Sequence, residues 1–146
     1  MEIIIVVFVI LSLIGSISFL KPSKKMKALS AIRHIANKEG FKIGSTQILR
    51  KKFKSWTPQV AIYQIKNDSL FKDMHFVREG DALILYAPMS LKYDEQFPVV
   101  QEKILLLPNS VLEIIFFQSN IAIVWNEMQG HEELLNIKTA ILNISN

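Results

Sequence analysis

Cysteine is absent from this sequence of 146 residues, and histidine occurs only three times. Without cysteine the chain can form no disulfide, no thiolate nucleophile and no cysteine-based zinc site, which suits a reducing compartment. His34, His75 and His131 lie far apart and have no second ligand at metal-binding spacing. The sequence therefore predicts neither a metal site nor a cofactor.

Motifs of catalysis are missing as well. The five glycines are isolated, and there is no Gly-x-Ser-x-Gly turn, no phosphate-binding glycine loop and no His-Glu-x-x-His. The run His131-Glu132-Glu133 is typical of the start of a helix, where the helix dipole favours acids. We therefore expect a non-enzymatic protein. An enzyme assembled from residues distant in sequence stays open as the alternative.

One long apolar run dominates the composition. Residues 3–20 are eighteen consecutive residues without charge. As a helix they extend over about 27 Å, close to the ~30 Å hydrocarbon core of a bilayer. A cleavable signal peptide carries positive charge before its apolar core, whereas only Glu2 precedes this one. Residues 1–20 are predicted to be a retained transmembrane anchor, with a signal sequence and a buried core helix as alternatives.

Charge is divided unevenly along the rest of the chain. Residues 21–54, which we call the basic collar, carry eleven Lys or Arg and one acid, Glu39. Residues 55–146 carry six basic and eleven acidic side chains. Lys and Arg near a span mark its cytoplasmic side. The N-terminus is therefore predicted to face outward and residues 21–146 to lie in the cytoplasm, most simply at a bacterial inner membrane.

The first part of the collar, residues 21–40, is predicted to be a basic juxtamembrane helix. Ser23 is a suitable N-cap and Gly40 a suitable end. Apolar residues recur at helical spacing and form one stripe, at Met26, Leu29, Ile32, Ile35 and Ala36. Two interpretations remain open, since the helix can dock on anionic headgroups or pack its stripe on the domain.

The second part of the collar contains the stretch 50-RKKFKSWTP-58. Its basic residues alternate with Phe53 and Trp56, a pattern that fits lipid headgroups, nucleic acid, or a structural loop with both aromatics turned inward. Residues of the collar and its border form the candidate contact surface for a membrane or a partner: Lys21, Lys24, Lys25, Lys27, Arg33, Lys38, Arg50, Lys51, Lys52, Lys54 and Trp56. Within the span, Ser12 and Ser16 form a small-residue pair with two interpretations: a surface for helix pairing, or single serines that a lipid-facing helix tolerates.

Residues 41–146 are predicted to form a small α+β domain with a mostly antiparallel sheet. Strand patterns occupy residues 41–43, 59–66, 73–79, 82–88, 111–118 and 121–126. The last two form a hairpin that should be the centre of the sheet. Helices are expected over residues 99–107 and 131–145, and the C-terminal helix should cover the sheet.

Two short segments carry a family resemblance. With its span, its basic flank and the segments Lys21-Pro22-Ser23 and Trp125-Asn126-Glu127, the chain resembles a group of small single-pass bacterial inner-membrane proteins. Some of these are labelled as the auxiliary, YajC-like subunit of the preprotein translocase. Glu79-Gly80-Asp81-Ala82-Leu83 resembles that family's Gly-Asp strand start, although about sixty residues separate it from the span here. The resemblance implies an accessory role in a membrane complex.

Three functional hypotheses follow from these patterns. The leading one is a membrane-anchored, non-enzymatic protein-interaction domain with a membrane-protein partner, as an accessory or assembly factor of a membrane complex. The alternative is a module that binds anionic lipid headgroups through the basic collar. Nucleic-acid binding through residues 50–56 ranks third. A homodimer is a further hypothesis for the partner.

Overall fold

The structure is a computed structural model that describes residues 1–44 and 46–146, and its architecture is α+β. The helices are α1 (Glu2–Leu20), α2 (Lys24–Lys38), α3 (Gln47–Lys52), α4 (Phe97–Ile104) and α5 (His131–Ser145). The strands are β1 (Lys42–Ile43), β2 (Ala61–Lys66), β3 (Met74–Glu79), β4 (Ala82–Ala87), β5 (Val111–Phe116) and β6 (Asn120–Trp125). Short 3-10 turns occupy Met89–Tyr93 and Glu127–Gln129.

Helix α1 is long and apolar enough to cross a membrane. None of its residues is buried, so it takes no part in the core of the domain. A signal sequence near the N-terminus passes the same test of length and composition. For this reason we call α1 a candidate membrane span. The three residues Lys21, Pro22 and Ser23 separate it from α2.

The six strands form one antiparallel sheet in the order β1-β2-β6-β5-β3-β4. The predicted hairpin of β5 and β6 occupies its centre, which confirms that prediction. Apart from the buried Glu113, the central residues of these two strands are apolar on both sides because both faces of the sheet are covered there. The predicted hairpin of β3 and β4 is confirmed as well, and β4 is an edge strand.

Alternation along the strands separates two faces of the sheet. The front face carries Tyr63, Ile123 and Trp125 and packs against residues of α2, α4 and α5. The back face carries Ile62, Ala122 and Val124 and packs against Phe53, Leu49 and Trp56. Helix α5 thus covers the front face as expected, but it shares that face with α2 and α4. The back face is covered by α3 and the residues that follow it.

Helix α3 is the principal element that sequence patterns missed. It has six residues, too few to show a helical period, and it follows Thr46, whose hydroxyl accepts from the Leu49 N–H at 3.2 Å. Smaller differences lie at boundaries. Helix α4 spans Phe97–Ile104 rather than residues 99–107, because Pro98 is accommodated in its first turn.

Candidate functional site

The basic collar is divided between the two faces of the sheet. Helix α2 lies on the front face, where Ile32 and Ala36 are buried in the main core. Helix α3 lies on the back face through Leu49. The short edge strand β1 lies between them in the chain. The candidate contact residues therefore form two basic surfaces rather than one.

A buried carboxylate holds α2 on the domain. Arg33 donates from Nε to Glu127 Oε2 at 2.8 Å and from Nη2 to Oε1 at 2.9 Å. The Tyr63 hydroxyl donates to the same Glu127 Oε2 at 2.7 Å. We call Arg33, Tyr63 and Glu127 the Glu127 cluster. Arg33 was predicted as a surface contact, and in the structure it makes an ion pair within the chain.

The charges of the Glu127 cluster reinforce one another. Burial tends to raise the pKa of Glu127, but hydrogen bonds from Arg33 and Tyr63 outweigh it and leave that pKa below the ordinary value. The hydrogen bond to Glu127 raises the pKa of the Arg33 guanidinium. Burial, and then the bond to Glu127, raises the pKa of Tyr63. Both members of the ion pair therefore stay charged at neutral pH, which keeps their hydrogen bonds charge-assisted.

A second buried carboxylate holds the segment after α3 on the back face. Glu113 is fully buried and accepts from the backbone N–H of Lys54 at 2.9 and 3.0 Å and of Ser55 at 2.9 Å. His75 Nε2 lies 2.8 Å from Glu113 Oε2. These four residues are the Glu113 cluster. Burial tends to raise the pKa of Glu113, but the bonds from His75, Lys54 and Ser55 lower it on balance.

On the back face of the sheet, basic side chains lie over aromatic rings. Lys54 Nζ lies 4.1 Å from the centroid of the Tyr86 ring, and Arg50 Cζ lies 4.7 Å from that of Trp56. Phe53 is buried, as the loop interpretation expected, whereas Trp56 is half-buried. Phe53 therefore cannot stack on a nucleic-acid base while this face is folded. The hypothesis of nucleic-acid binding stays untested.

The remaining candidate contacts are exposed. They are Lys21, Lys24, Lys25, Lys27, Lys38, Arg50, Lys51, Lys52 and Lys54. Beside the basic end of α3, Ile48 is 74% exposed, which sequence patterns did not indicate. In the span, the Ser16 hydroxyl donates to the Ser12 carbonyl at 2.8 Å, so it is satisfied within its own helix. Pairing of spans through these serines stays a prediction.

Chemical options at these surfaces are restricted. Among residues 1–44 and 46–146, no group of three His, Asp or Glu side chains is placed to hold a metal ion. A surface cavity of about 550 Å³ lies between α3 and the sheet, and its lining includes Ile48, Lys52, Gln64 and Phe117. Its described lining combines the cation Lys52 with apolar, hydroxyl and amide groups.

Comparison with protein-family models, curated protein sequences and solved structures found no match. The fold and the site define an α+β domain behind a candidate membrane span, with a basic surface on each face of its sheet. The resemblance to single-pass inner-membrane proteins and to the YajC-like translocase subunit stays a prediction.

Proposed function

We propose that this chain is a single-pass, membrane-anchored, non-enzymatic interaction domain. Its domain lies on the cytoplasmic side of a bacterial inner membrane, with the N-terminus outside. There it binds another membrane protein as an accessory or assembly factor of a membrane complex.

One observation carries the proposal: the first element after the candidate span is packed into the domain. Three residues, Lys21 to Ser23, connect α1 to α2 and extend over about 10 Å. The Glu127 cluster then holds α2 against the sheet. A domain joined so closely to a span stays at the headgroup layer, where its accessible partners are lipids and other membrane proteins.

Capture from native membranes in mild detergent tests the proposal. We would compare the full chain with a fragment of residues 1–40 and with a full chain whose residues 3–20 are replaced by an unrelated span. A partner of the domain should be retained by the full chain and by the span replacement, and lost from the fragment. Equal capture by the fragment would assign binding to the span or to α2 rather than to the rest of the domain, and no specific partner in any arm would contradict the proposal.

A second function, binding of anionic lipid, is favoured by α3. Its exposed Ile48 lies one turn from three consecutive cations, Arg50, Lys51 and Lys52. Near an anionic surface each Lys or Arg contributes roughly 1 kcal/mol. An apolar side chain beside such a basic group can enter the headgroup layer.

A spin label at a single cysteine measures this contact, since the chain has no cysteine of its own. In bilayers with anionic lipid, a label at Ile48→Cys should lie at headgroup depth. A label at Glu132→Cys, at the start of α5, is the matched control and should stay in water. Changing Arg50, Lys51 and Lys52 to Gln, or adding salt, should release the first label. A label at position 48 that stays in water in every bilayer would rule out the contact.

A further inference from the structure

The two edges of the sheet differ in how they are protected. An edge strand presents unpaired backbone N–H and C=O groups, and proteins shield such edges with charge, proline, bulges or short length. Strand β1 has only two residues, one of them Lys42. Strand β4 has six residues, ALILYA, with no charge, glycine or proline. Its pairing with β3 is regular over residues 82–85. The bulge at Tyr86 and the following Pro88 protect only the end of the strand, so residues 82–85 can accept a new neighbour.

Exposed apolar side chains accompany this open edge. On the back face of β4, Ile84 is 40% exposed and Tyr86 is 45% exposed. The front-face residues Leu83 and Leu85 are buried in the core and fix the strand in place. β-Branched and aromatic side chains on facing strands stabilise the pairing of those strands. A strand added here would gain both backbone hydrogen bonds and apolar contacts.

Charge favours a second copy of β4 in the antiparallel direction. The strand begins next to the exposed Asp81, and near its end is Tyr86, whose ring centroid lies 4.1 Å from Lys54 Nζ. Antiparallel pairing of two copies puts the acidic start of each strand beside the basic end of the other, and does so twice. Parallel pairing would put like charges together. A two-fold, self-complementary contact is also the commonest symmetry of homo-oligomers.

We infer that two copies of this chain pair antiparallel through β4, near Ile84, and form one continuous sheet. The two-fold axis of such a pair is perpendicular to the sheet, so both front faces lie on the same side. Because α2 lies on the front face in both copies, both spans can enter one membrane. The inference deepens the proposed function and rests on its premise that the span holds the domain at a bilayer.

Disulfide cross-linking of the full chain in membranes tests the pairing. Ile84→Cys should form a covalent dimer under mild oxidation, because facing residues in antiparallel strands have Cα atoms about 4.5–5.5 Å apart, a separation that a disulfide can bridge. Lys42→Cys, exposed on the opposite edge strand, is the matched control. We expect about fivefold more dimer at position 84 than at position 42. Equal yields, or no dimer at position 84, would overturn the inference.

A second pair of variants separates the β4 contact from pairing of the spans. Ile84→Lys places a charge at an exposed position of β4. It should abolish cross-linking between chains that carry Ala82→Cys and chains that carry Tyr86→Cys, because these two positions face each other when β4 pairs antiparallel about Ile84. Ser16→Leu alters only the span and should leave that cross-link in place. If Ser16→Leu abolished the cross-link and Ile84→Lys did not, the inference would be overturned and the dimer assigned to pairing of the spans. Capture of a membrane-protein partner by the Ile84→Lys chain would meanwhile show that the proposed function stands without the dimer.

Discussion

At the scale of single residues, two buried carboxylates attach the two basic surfaces to the sheet. Glu127 holds α2 on the front face through Arg33, and Glu113 holds residues 54 and 55 on the back face. Both carboxylates are buried with several hydrogen bonds, which is the condition under which a protein tolerates a buried charge. They organise the site without belonging to its exposed surface.

Replacing Glu113 by Gln should destabilise the domain. The amide keeps the size of the side chain but replaces charge-assisted bonds to two N–H groups and His75 with weaker ones. We expect a loss of about 1–3 kcal/mol in the free energy of unfolding, measured by urea denaturation of the full chain in detergent. Glu79→Gln, on an exposed position of β3, is the control and should change it by less than about 0.5 kcal/mol. Equal effects of the two variants would contradict the role given to Glu113.

The same carboxylates predict a loss of stability in acid. Their folded pKa values lie below the ordinary value of 4.5, so the unfolded chain takes up protons first as pH falls. Their contribution should be complete above pH 4.5 and should disappear as pH falls through the lower folded pKa. The midpoint of urea denaturation, determined at several pH values between neutral and acid, measures this loss of stability. In Glu113→Gln, stability to urea should depend less steeply on pH. An unchanged pH dependence would exclude Glu113 as a cause of the loss of stability in acid.

At the scale of elements, the ion pair of α2 determines how closely the span is joined to the domain. Arg33→Ala removes two bonds to Glu127 and leaves that buried carboxylate with Tyr63 alone. Because the Arg33 side chain is half-exposed, we expect a cost of about 1–2 kcal/mol rather than that of a fully buried pair. Amide hydrogen exchange should become faster within Lys24–Lys38.

Two further variants make this measurement specific. Lys38→Ala, at an exposed position of the same helix, should leave the exchange rates of α2 unchanged. Arg33→Lys should recover only part of the protection, since an ammonium cannot form the two parallel bonds of a guanidinium. Unchanged exchange in Arg33→Ala would mean that Ile32 and Ala36 alone hold the helix in place.

Elements with a clear periodic pattern were predictable from the sequence. Helix α5 follows from its helical period, whereas α1 and the central hairpin of β5 and β6 follow from the length of their continuous apolar runs. Helix α3 was missed because six residues are too short to show one. The boundary residues 59 and 60 lie outside β2, since sequence alone does not fix where pairing with β6 begins.

The site was less predictable, because its contacts join residues distant in sequence. Arg33 and Glu127 are 94 positions apart, and Lys54 and Glu113 are 59 apart. One signal was available: Glu113 interrupts the apolar run 111-VLEIIFF-117, and a charge within a central strand requires buried partners. The division of the basic collar between two faces could not be seen without the strand order.

At the scale of the whole molecule, the distribution of charge predicts the orientation of the chain. The four lysines Lys21, Lys24, Lys25 and Lys27 follow the candidate span closely, whereas Glu2 is the single charged side chain before it. Positively charged flanks stay in the cytoplasm. A membrane-impermeant maleimide applied to intact spheroplasts should therefore label Glu2→Cys. Asn146→Cys, in the same cysteine-free chain, should react only after the membrane is permeabilised.

Changing the lysines tests the cause of this orientation. Replacing all four by Gln and adding two lysines after Met1 should move label from position 2 to position 146, because orientation follows the bias in Lys and Arg. Replacement of the four lysines by Arg, without added lysines, is the matched control. It should keep the labelling of the wild-type orientation, with position 2 outside and position 146 inside. A chain that loses the label at position 2 and becomes shorter would instead identify residues 1–20 as a cleaved signal sequence. The proposed anchoring by α1 would then fall, whereas the fold of the domain, in which α1 is not buried, would not be affected.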